Sequence, residues 1–354
     1  MTDPAMSTAR ERPGPGRPPV MADVARLAGV SHQTVSRVIN GQSNLRPETR
    51  LRVEEAIRQL GYRPNSAARA LVTRRSGTIG VIGSKSGFWG PSTVHRTIQA
   101  AGREAGFFVS SVNLPDLTRD AVSDAVEHLR DQRVEGIVLI AANDEALDVA
   151  RAQEAVGVPV VVVEGSLYNA RWTIGVDQAA GAGLATQHLL DLGHTEIVHL
   201  AGPLQWTEAR GRLQGWQLAM HQAGLRPSQH LEGDWTAASG YRVGAELARR
   251  DDVTAVFAAN DQMALGVLRA LWEAGRSVPD DVSVVGFDDI PEAAYLIPPL
   301  TTVRQDFTAV GHRAIEILQT AIGGPEPDAD VPERLIQPEL IVRASTAAPR
   351  ETEN

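Results

Sequence analysis

Seven short apolar runs, separated by amphipathic stretches, fill the chain from Thr78 onward. They read TIGVIGS (78–84), GFFVSSVN (106–113), GIVLIA (136–141), VPVVVVEG (158–165), IVHLAG (197–202), TAVFAAND (254–261) and VSVVGFDD (282–289). Between them lie segments such as AGLATQHLLDLGH (182–194) and QMALGVLRALWEAG (262–275). Strand and helix alternating at this spacing predict parallel sheets with helices on both faces. The runs are too many for one compact open sheet, so the reading is two α/β lobes. Their cleft lies at the carboxyl ends of the strands, where such sheets bind ligands.

The first 76 residues follow a different pattern. MADVARLAG (21–29) places Val24, Leu27 and Ala28 at helical spacing, and Gly29 ends it. Ser31 is suited to capping a second helix, in which Val35, Val38 and Ile39 share a face. His32, Gln33, Ser36 and Arg37 point elsewhere, Gln33 and Arg37 one turn apart, and Asn40 and Gly41 close the helix. A third helix has Pro47 in its first turn, Val53, Ala56, Ile57 and Leu60 on one face, and Gly61 at its end. Two short helices across a tight turn, with a third packed behind, make a helix-turn-helix. The second helix of that motif enters the major groove of double-stranded DNA. Gln pairs there with adenine and Arg with guanine, each through two hydrogen bonds. The alternative is a generic amphipathic three-helix bundle, whose outer face would usually carry Glu and Lys.

Charge separates the same two regions. Residues 1–76 hold 13 Arg and 6 Asp or Glu, a net of +7, against −9 for the whole chain and hence −16 for the rest. A basic head on an acidic body confines contact with a polyanion to the head. YRPNSAARALVTRRSG (62–77) continues the basic stretch, with Asn65 as a candidate cap, and Arg69, Arg74 and Arg75 around Leu71. Leu71 either wedges into a minor groove or packs as part of a solvated tether.

Other function classes find no support. There is no G-x-S-x-G, P-loop or H-E-x-x-H motif, Lys85 is the only lysine, and the nine histidines show no metal spacing. The absence of cysteine excludes disulfides and thiol chemistry. No apolar run approaches a membrane span, and MTDPAMSTARERPGPGRPP lacks the core of a signal peptide. The expectation is a cytoplasmic binding protein, without catalytic residues, cofactor or metal. The strand ends offer carbohydrate chemistry: Glu164 after VVVV, Asn260-Asp261-Gln262 after VFAA, Asp288-Asp289 after VVGF, with Trp235 and Arg212 nearby. Carboxylates, amides and a guanidinium suit hydroxyls that both donate and accept, and an indole suits the apolar face of a sugar ring.

VMADVARLAGVSHQTVSRVINGQ and VEEAIRQLGYRPNSAARAL resemble the head of the LacI/GalR (lactose-repressor) family of bacterial regulators. LAGPLQWTEARGRLQGW, EGDWTAASGY, ANDQMALGVLRA and VVGFDDIPEAAYLIPPLTTVRQDF extend the resemblance to nearly the whole chain from Met21, closest to the family's lactose-repressor branch. Val20 and Arg46 depart from the hydroxyl residues that often cap the first and third helices there. The resemblance implies an all-α helix-turn-helix head with a hinge helix, then a two-lobed body of the periplasmic-binding-protein-like α/β fold. The divisions are 1–19 lead-in, 20–64 DNA-binding domain, 65–76 hinge, 77–345 effector-binding and dimerisation domain, and 346–354 disordered tail.

It implies operator contacts at Ser31, His32, Gln33, Thr34, Ser36, Arg37, Asn40, Tyr62, Asn65, Ala68 and Leu71. It implies effector contacts at Ser84, Phe88, Trp89, Gly90, Pro91, Glu164, Glu208, Arg212, Trp235, Asn260, Gln262, Asp288, Gln305 and Phe307. Arg212, Trp235, Asn260, Asp288 and Phe307 keep the family's residue type. Glu164, Glu208, Phe88 and Trp89 do not, which opens the choice of sugar to larger glycosides or disaccharides. The tail TAAPRETEN lacks a leucine heptad, so a homodimer on a roughly palindromic operator is expected. The function implied is a repressor released from its operator by a sugar or glycoside, and bound to the nucleoid when on its operator. The alternatives are a regulator whose ligand tightens DNA binding and, more distantly, a solute-binding transport protein.

Overall fold

The computed structural model describes residues 18–39, 45–62, 75–84, 87–141, 143–153, 157–163, 172–324 and 335–350. The chain divides into two compact units, residues 1–76 and 77–354.

The first unit holds α1 (Met21–Ala28), α2 (His32–Ile39) and α3 (Pro47–Leu60). Gly29 and Gly61 follow α1 and α3 at φ 63° and 60°, the left-handed conformation that ends a helix at little cost to glycine. The Ser31 hydroxyl accepts the Thr34 N–H at 3.1 Å and so caps α2. Val20 and Arg46 supply no side-chain cap, but the Val20 N–H donates to Asp23 Oδ2 at 3.0 Å. Val24, Ala25, Ala28, Val35, Val53, Ala56 and Tyr62 form the core. Leu27, expected on that face, is 49% exposed; Ala25 takes the inward position beside Val24 and Ala28.

In the second unit, β1 (Thr78–Ser84), β2 (Phe108–Leu114), β3 (Ile137–Ile140), β4 (Val160–Val163), β5 (Thr173–Val176) and β11 (Leu335–Ile336) make one sheet. Its order is β11-β5-β4-β3-β1-β2, every pair parallel. Helices α4 (Trp89–Glu104), α5 (Arg119–Asp131) and α6 (Asp144–Gln153) connect its strands, and α11 (Phe307–Gly323) packs with α4 against it. The second sheet, in the order β7-β6-β8-β9, is also parallel. It contains β6 (Ile197–Ala201), β7 (Leu231–Glu232), β8 (Ala255–Ala258) and β9 (Ser283–Val285). Its helices are α7 (Gln178–Asp191), α8 (Thr207–Gln222), α9 (Ala237–Leu247) and α10 (Asp261–Glu273). Four-residue strands that are buried throughout, such as VVVV and AVFA, read as unbroken apolar runs because helices cover both faces.

The chain passes between the lobes after β5, after β10 (Thr302–Arg304) and between β11 and β12 (Glu339–Ile341). β10 and β12 pair antiparallel, the one departure among the described strands from the expected parallel sheets. Residues 346–350 also depart from expectation, because they are not a loose tail. His194 Nε2 donates to the Ala347 carbonyl at 2.9 Å, the Ala347 N–H donates to Ser283 Oγ at 3.0 Å, and Arg350 pairs with Asp281 at 2.5 Å. Partners on the second lobe, His194 and Ser283 among them buried, thus satisfy a segment whose composition alone suggested solvent. Among the described residues no helix is long and apolar enough to cross a membrane.

Candidate functional site

On the head, the outer face of α2 presents His32, Gln33 and Arg37 to solvent, with Ser36 half-buried and Val35 anchoring the inner face. The Ser31 and Thr34 hydroxyls lie 2.9 Å apart at the helix start. Tyr62 does not join this surface. It is 8% exposed and packs in the head core, where its ring covers apolar area. Asn40, Asn65, Ala68 and Leu71 lie outside the described residues.

In the body, a cleft of about 410 Å³, counted to its mouth, opens where the two sets of strand ends face each other. Its side chains stand close together and leave little open space between them. The first lobe contributes Phe88, Trp89, Gly90 and Pro91, at the start of α4. The second contributes Trp206, Glu208 and Arg212 from the start of α8, Trp235 after β7, and Asn260 after β8. Asp288 follows β9 and Gln305 follows β10.

The floor is a closed ring of four polar side chains. Arg212 Nε donates to Gln178 Oε1 at 2.8 Å, and Gln178 Nε2 donates to Gln305 Oε1 at 2.9 Å. Gln305 Nε2 donates to Asp288 Oδ1 at 2.7 Å, and Asp288 Oδ1 lies 3.5 Å from Arg212 Nη2. Arg212 Nη1 also donates to the Ala259 carbonyl. The guanidinium sits 3.9 Å from the centre of the Phe287 ring and 5.5 Å from that of Trp235, a flat cation held between aromatic rings. Arg212 and Asp288 are both buried, and a buried charge is tolerable only when paired and hydrogen-bonded. Burial pushes the Asp288 carboxyl up to about 6, against the opposing pull of Arg212 and Gln305. Beneath it, burial and the Asp288 charge raise the Asp261 carboxyl well above the usual carboxylate range. Asp261 accepts from the Thr302 hydroxyl at 2.6 Å and the Ile290 N–H at 2.9 Å.

The aromatic wall is set by backbone devices. Trp235 has φ 70° and Asp288 φ 108°, conformations that side-chain-bearing residues seldom adopt and that cluster at functional sites. Asn260 Oδ1 caps α10 by accepting the Met263 N–H at 2.9 Å, while its Nδ2 donates to the Trp235 carbonyl at 3.0 Å. Asn260 therefore positions Trp235 as well as lining the cleft. Gly202 leaves room for the Trp235 ring; a Cβ there would fall within 3.0 Å of three ring atoms. Trp206 stands edge-on to Trp235, with ring centres 5.9 Å apart, and to Phe88 at 5.7 Å.

Of the effector residues expected from the sequence, this cleft gathers Phe88, Trp89, Gly90, Pro91, Glu208, Arg212, Trp235, Asn260, Asp288 and Gln305. Three are placed elsewhere. Ser84 ends β1 short of the lining, Gln262 is half-buried in the first turn of α10, and Phe307 is buried behind Gly90 in the first lobe's core. Glu164 lies outside the described residues. Trp206 and Gln178 belong to the site and were missed. Trp206 follows the β6 strand end just as Trp235 follows β7, a signal present in LAGPLQW. Among the described residues no cluster of three or more His, Asp or Glu is placed to hold a metal ion.

Residues 20–65 match the family described as bacterial regulatory proteins, lacI family, and residues 186–346 match the periplasmic binding protein-like domain. The lactose operon repressor of Escherichia coli (strain K12) is 36% identical over 335 residues, covering 94% of this chain and 92% of that protein. The HTH-type transcriptional regulator CelR of Thermobifida fusca is 37% identical over 343 residues, covering 93% and 98%. Among solved structures, the lac repressor dimer bound to operator and the anti-inducer ONPF superposes with a TM-score of 0.81 at 36% identity. That match covers 94% of this chain and all of the other. The CelR–cellobiose complex gives 0.68 at 33% identity, covering 92% and 99%.

Proposed function

The chain belongs to the lacI family of bacterial regulatory proteins, and from that premise we propose that it is a homodimeric transcriptional repressor released from its operator by a glycoside bound in the body cleft. The observation that carries this reading is the ring of Arg212, Gln178, Gln305 and Asp288 beneath an aromatic wall. Such a floor offers donors and acceptors side by side, as sugar hydroxyls require, and the wall offers indole surface to the C–H face of a pyranose.

The cleft draws its lining from both lobes, so a ligand touching both has different affinities for different lobe arrangements. That difference is the free energy available to shift the protein between its DNA-bound and released states. Residues 65–76 connect body to head in the sequence and are read as the hinge. On the head, Gln33 and Arg37 read base edges, with His32, Ser31, Thr34 and Ser36 beside them, and two heads of a dimer match a two-fold operator. The lac repressor structure with operator and the CelR structure with cellobiose support DNA and sugar as the two ligands. The protein acts in the cytoplasm, on the nucleoid when bound, and no catalytic step is assigned to it.

The test is a titration of operator affinity with glycosides, using the full-length dimer. A glycoside that weakens operator binding supports the inducer reading. One that tightens it makes the ligand a co-repressor. Absence of any glycoside effect refutes the assignment of the cleft.

A further inference from the structure

Six of the eight α-helices among the described residues of the body begin with a residue whose side chain accepts a first-turn N–H: Thr118, Asn143, Asp177, Thr236, Asn260 and Asp306. The other two, α4 and α8, begin with Phe88 and Trp206, and neither has a side-chain cap bond. A Ser, Thr, Asp or Asn at those positions would stabilise the helix start. Residues that break a local rule in an otherwise consistent fold mark functional positions. These two rings meet each other across the cleft, one from each lobe, with centres 5.7 Å apart and planes at 77°.

Trp206 packs against the hydrophobic cores of both lobes. The two residues before it are held by Arg210, whose Nη1 donates to the carbonyls of Leu204 at 3.0 Å and Gln205 at 3.2 Å. Nη2 of the same side chain reaches across to Asp144 Oδ1 at 2.8 Å. The pair stands over the polar floor in a cleft with too little open space for a sugar, so the two rings must part when one enters.

We propose that Phe88 and Trp206 form a second subsite, and that the ligand is a β-linked disaccharide of gluco-configured units. One pyranose lies on the polar floor and the other between the two rings. This rests on the glycoside reading of the cleft. A gluco-configured pyranose carries its hydroxyls equatorially, so both faces are C–H and both can be covered by aromatic rings; an axial hydroxyl would put an oxygen against one of them. A β-linkage between equatorial positions keeps the two sugars extended, so the second reaches toward the mouth. Contact between the rings and the sugar replaces contact between the rings.

Calorimetry on the full-length dimer with cellobiose, maltose and methyl β-D-glucopyranoside tests this, together with Trp206→Ser and Phe88→Ser. Wild type should bind cellobiose at least about tenfold more tightly than either of the other two, as stacking between aromatic surfaces allows. Each variant should lose most of that preference, its affinity for cellobiose falling several-fold further than its affinity for the methyl glucoside. Each replacement supplies a capping hydroxyl that offsets part of the lost ring packing, and melting curves recorded beside the calorimetry confirm that each variant is folded. Equal losses on both ligands, or no loss, would overturn the second subsite. A wild type that binds all three sugars alike would overturn it too, while leaving the glycoside reading intact. A wild type that binds none would overturn it as well, and the wider glycoside titration then decides the cleft.

Discussion

Gly202→Ala tests whether Trp235 is held where the effector needs it. Gly202 has no unusual backbone angle; it is glycine because the Trp235 ring lies against it, with Cη2, Cζ2 and Cζ3 all within 3.0 Å of where a Cβ would be. The ring has few ways to yield. It is 6% exposed, its backbone is at φ 70°, and its carbonyl is tied to Asn260 Nδ2. Overfilling a packed site of this kind costs about 1–3 kcal/mol. For a body of this size that is a fall in melting temperature of about 2–10 °C. Moving the ring also withdraws its contacts with Arg212, about 0.5–2 kcal/mol, and with Trp206, about 0.5–1.5 kcal/mol. Inducer affinity should therefore fall by about tenfold or more, while operator affinity in the absence of sugar stays within about twofold. Paired measurements, calorimetry for the sugar and fluorescence anisotropy for the operator, check both halves. An alanine variant with wild-type sugar affinity would mean that Trp235 does not read the ligand, and the aromatic wall would have to be assigned elsewhere.

On the head, Gln33→Ala and Arg37→Ala should each cost about 1–3 kcal/mol on the cognate operator and relax base preference, because both side chains are exposed on the outer face of α2. Equal losses on random DNA would assign them to phosphates. Inducer affinity should fall as pH drops through about 6, since burial pushes the Asp288 carboxyl up to about that value and the ionised carboxylate is the stronger acceptor for sugar hydroxyls. Asp288→Asn should bind weakly with no such profile, and an unchanged profile would clear Asp288 of the role. His199 is fully buried, with Nδ1 donating to the Phe257 carbonyl at 3.0 Å, and burial pushes its pKa down to about 3. Its contribution to stability is complete above its unfolded value of about 6.5 and is lost as pH falls from there towards 3. By pH 5.5 the loss is about 1 kcal/mol, opposed by the raised carboxyls of Asp288 and Asp261, which bind protons in the folded state. Urea unfolding of wild type and His199→Asn at pH 7.5 and 5.5 isolates the histidine: the variant should lose less stability, and equal losses would contradict the assignment.

How much of this molecule could be read from its residues follows from how far each signal reaches along the chain. The helix-turn-helix is a local object. Gly29, Gly61, Pro47 and the Ser31 cap act within a few residues, and all four sit where the pattern places them. The long buried strands declare themselves by apolar runs, whereas β7 and β11 are two residues long and have no periodicity to detect. Leu27 was misjudged because an eight-residue helix with one buried stripe leaves Ala25 and Leu27 competing for it, and packing chose the smaller side chain. The cleft divides in the same way. Arg212, Trp235, Asn260 and Asp288 announce themselves by residue type at strand ends or in the segments that follow. Gln178 does not, because its place in the polar ring depends on Gln305, 127 residues away. Trp206 is the instructive case. In the sequence it shows only as a tryptophan after a strand end, as Trp235 does. Once α8 is known to begin at Thr207, it becomes an indole where a hydroxyl or carboxylate belongs, and the same is true of Phe88 before α4. The misfit is visible only against the finished helix, and what accounts for it lies on the other lobe. A residue that costs its own helix stability and returns nothing locally must be judged by what it faces, and here each faces the other.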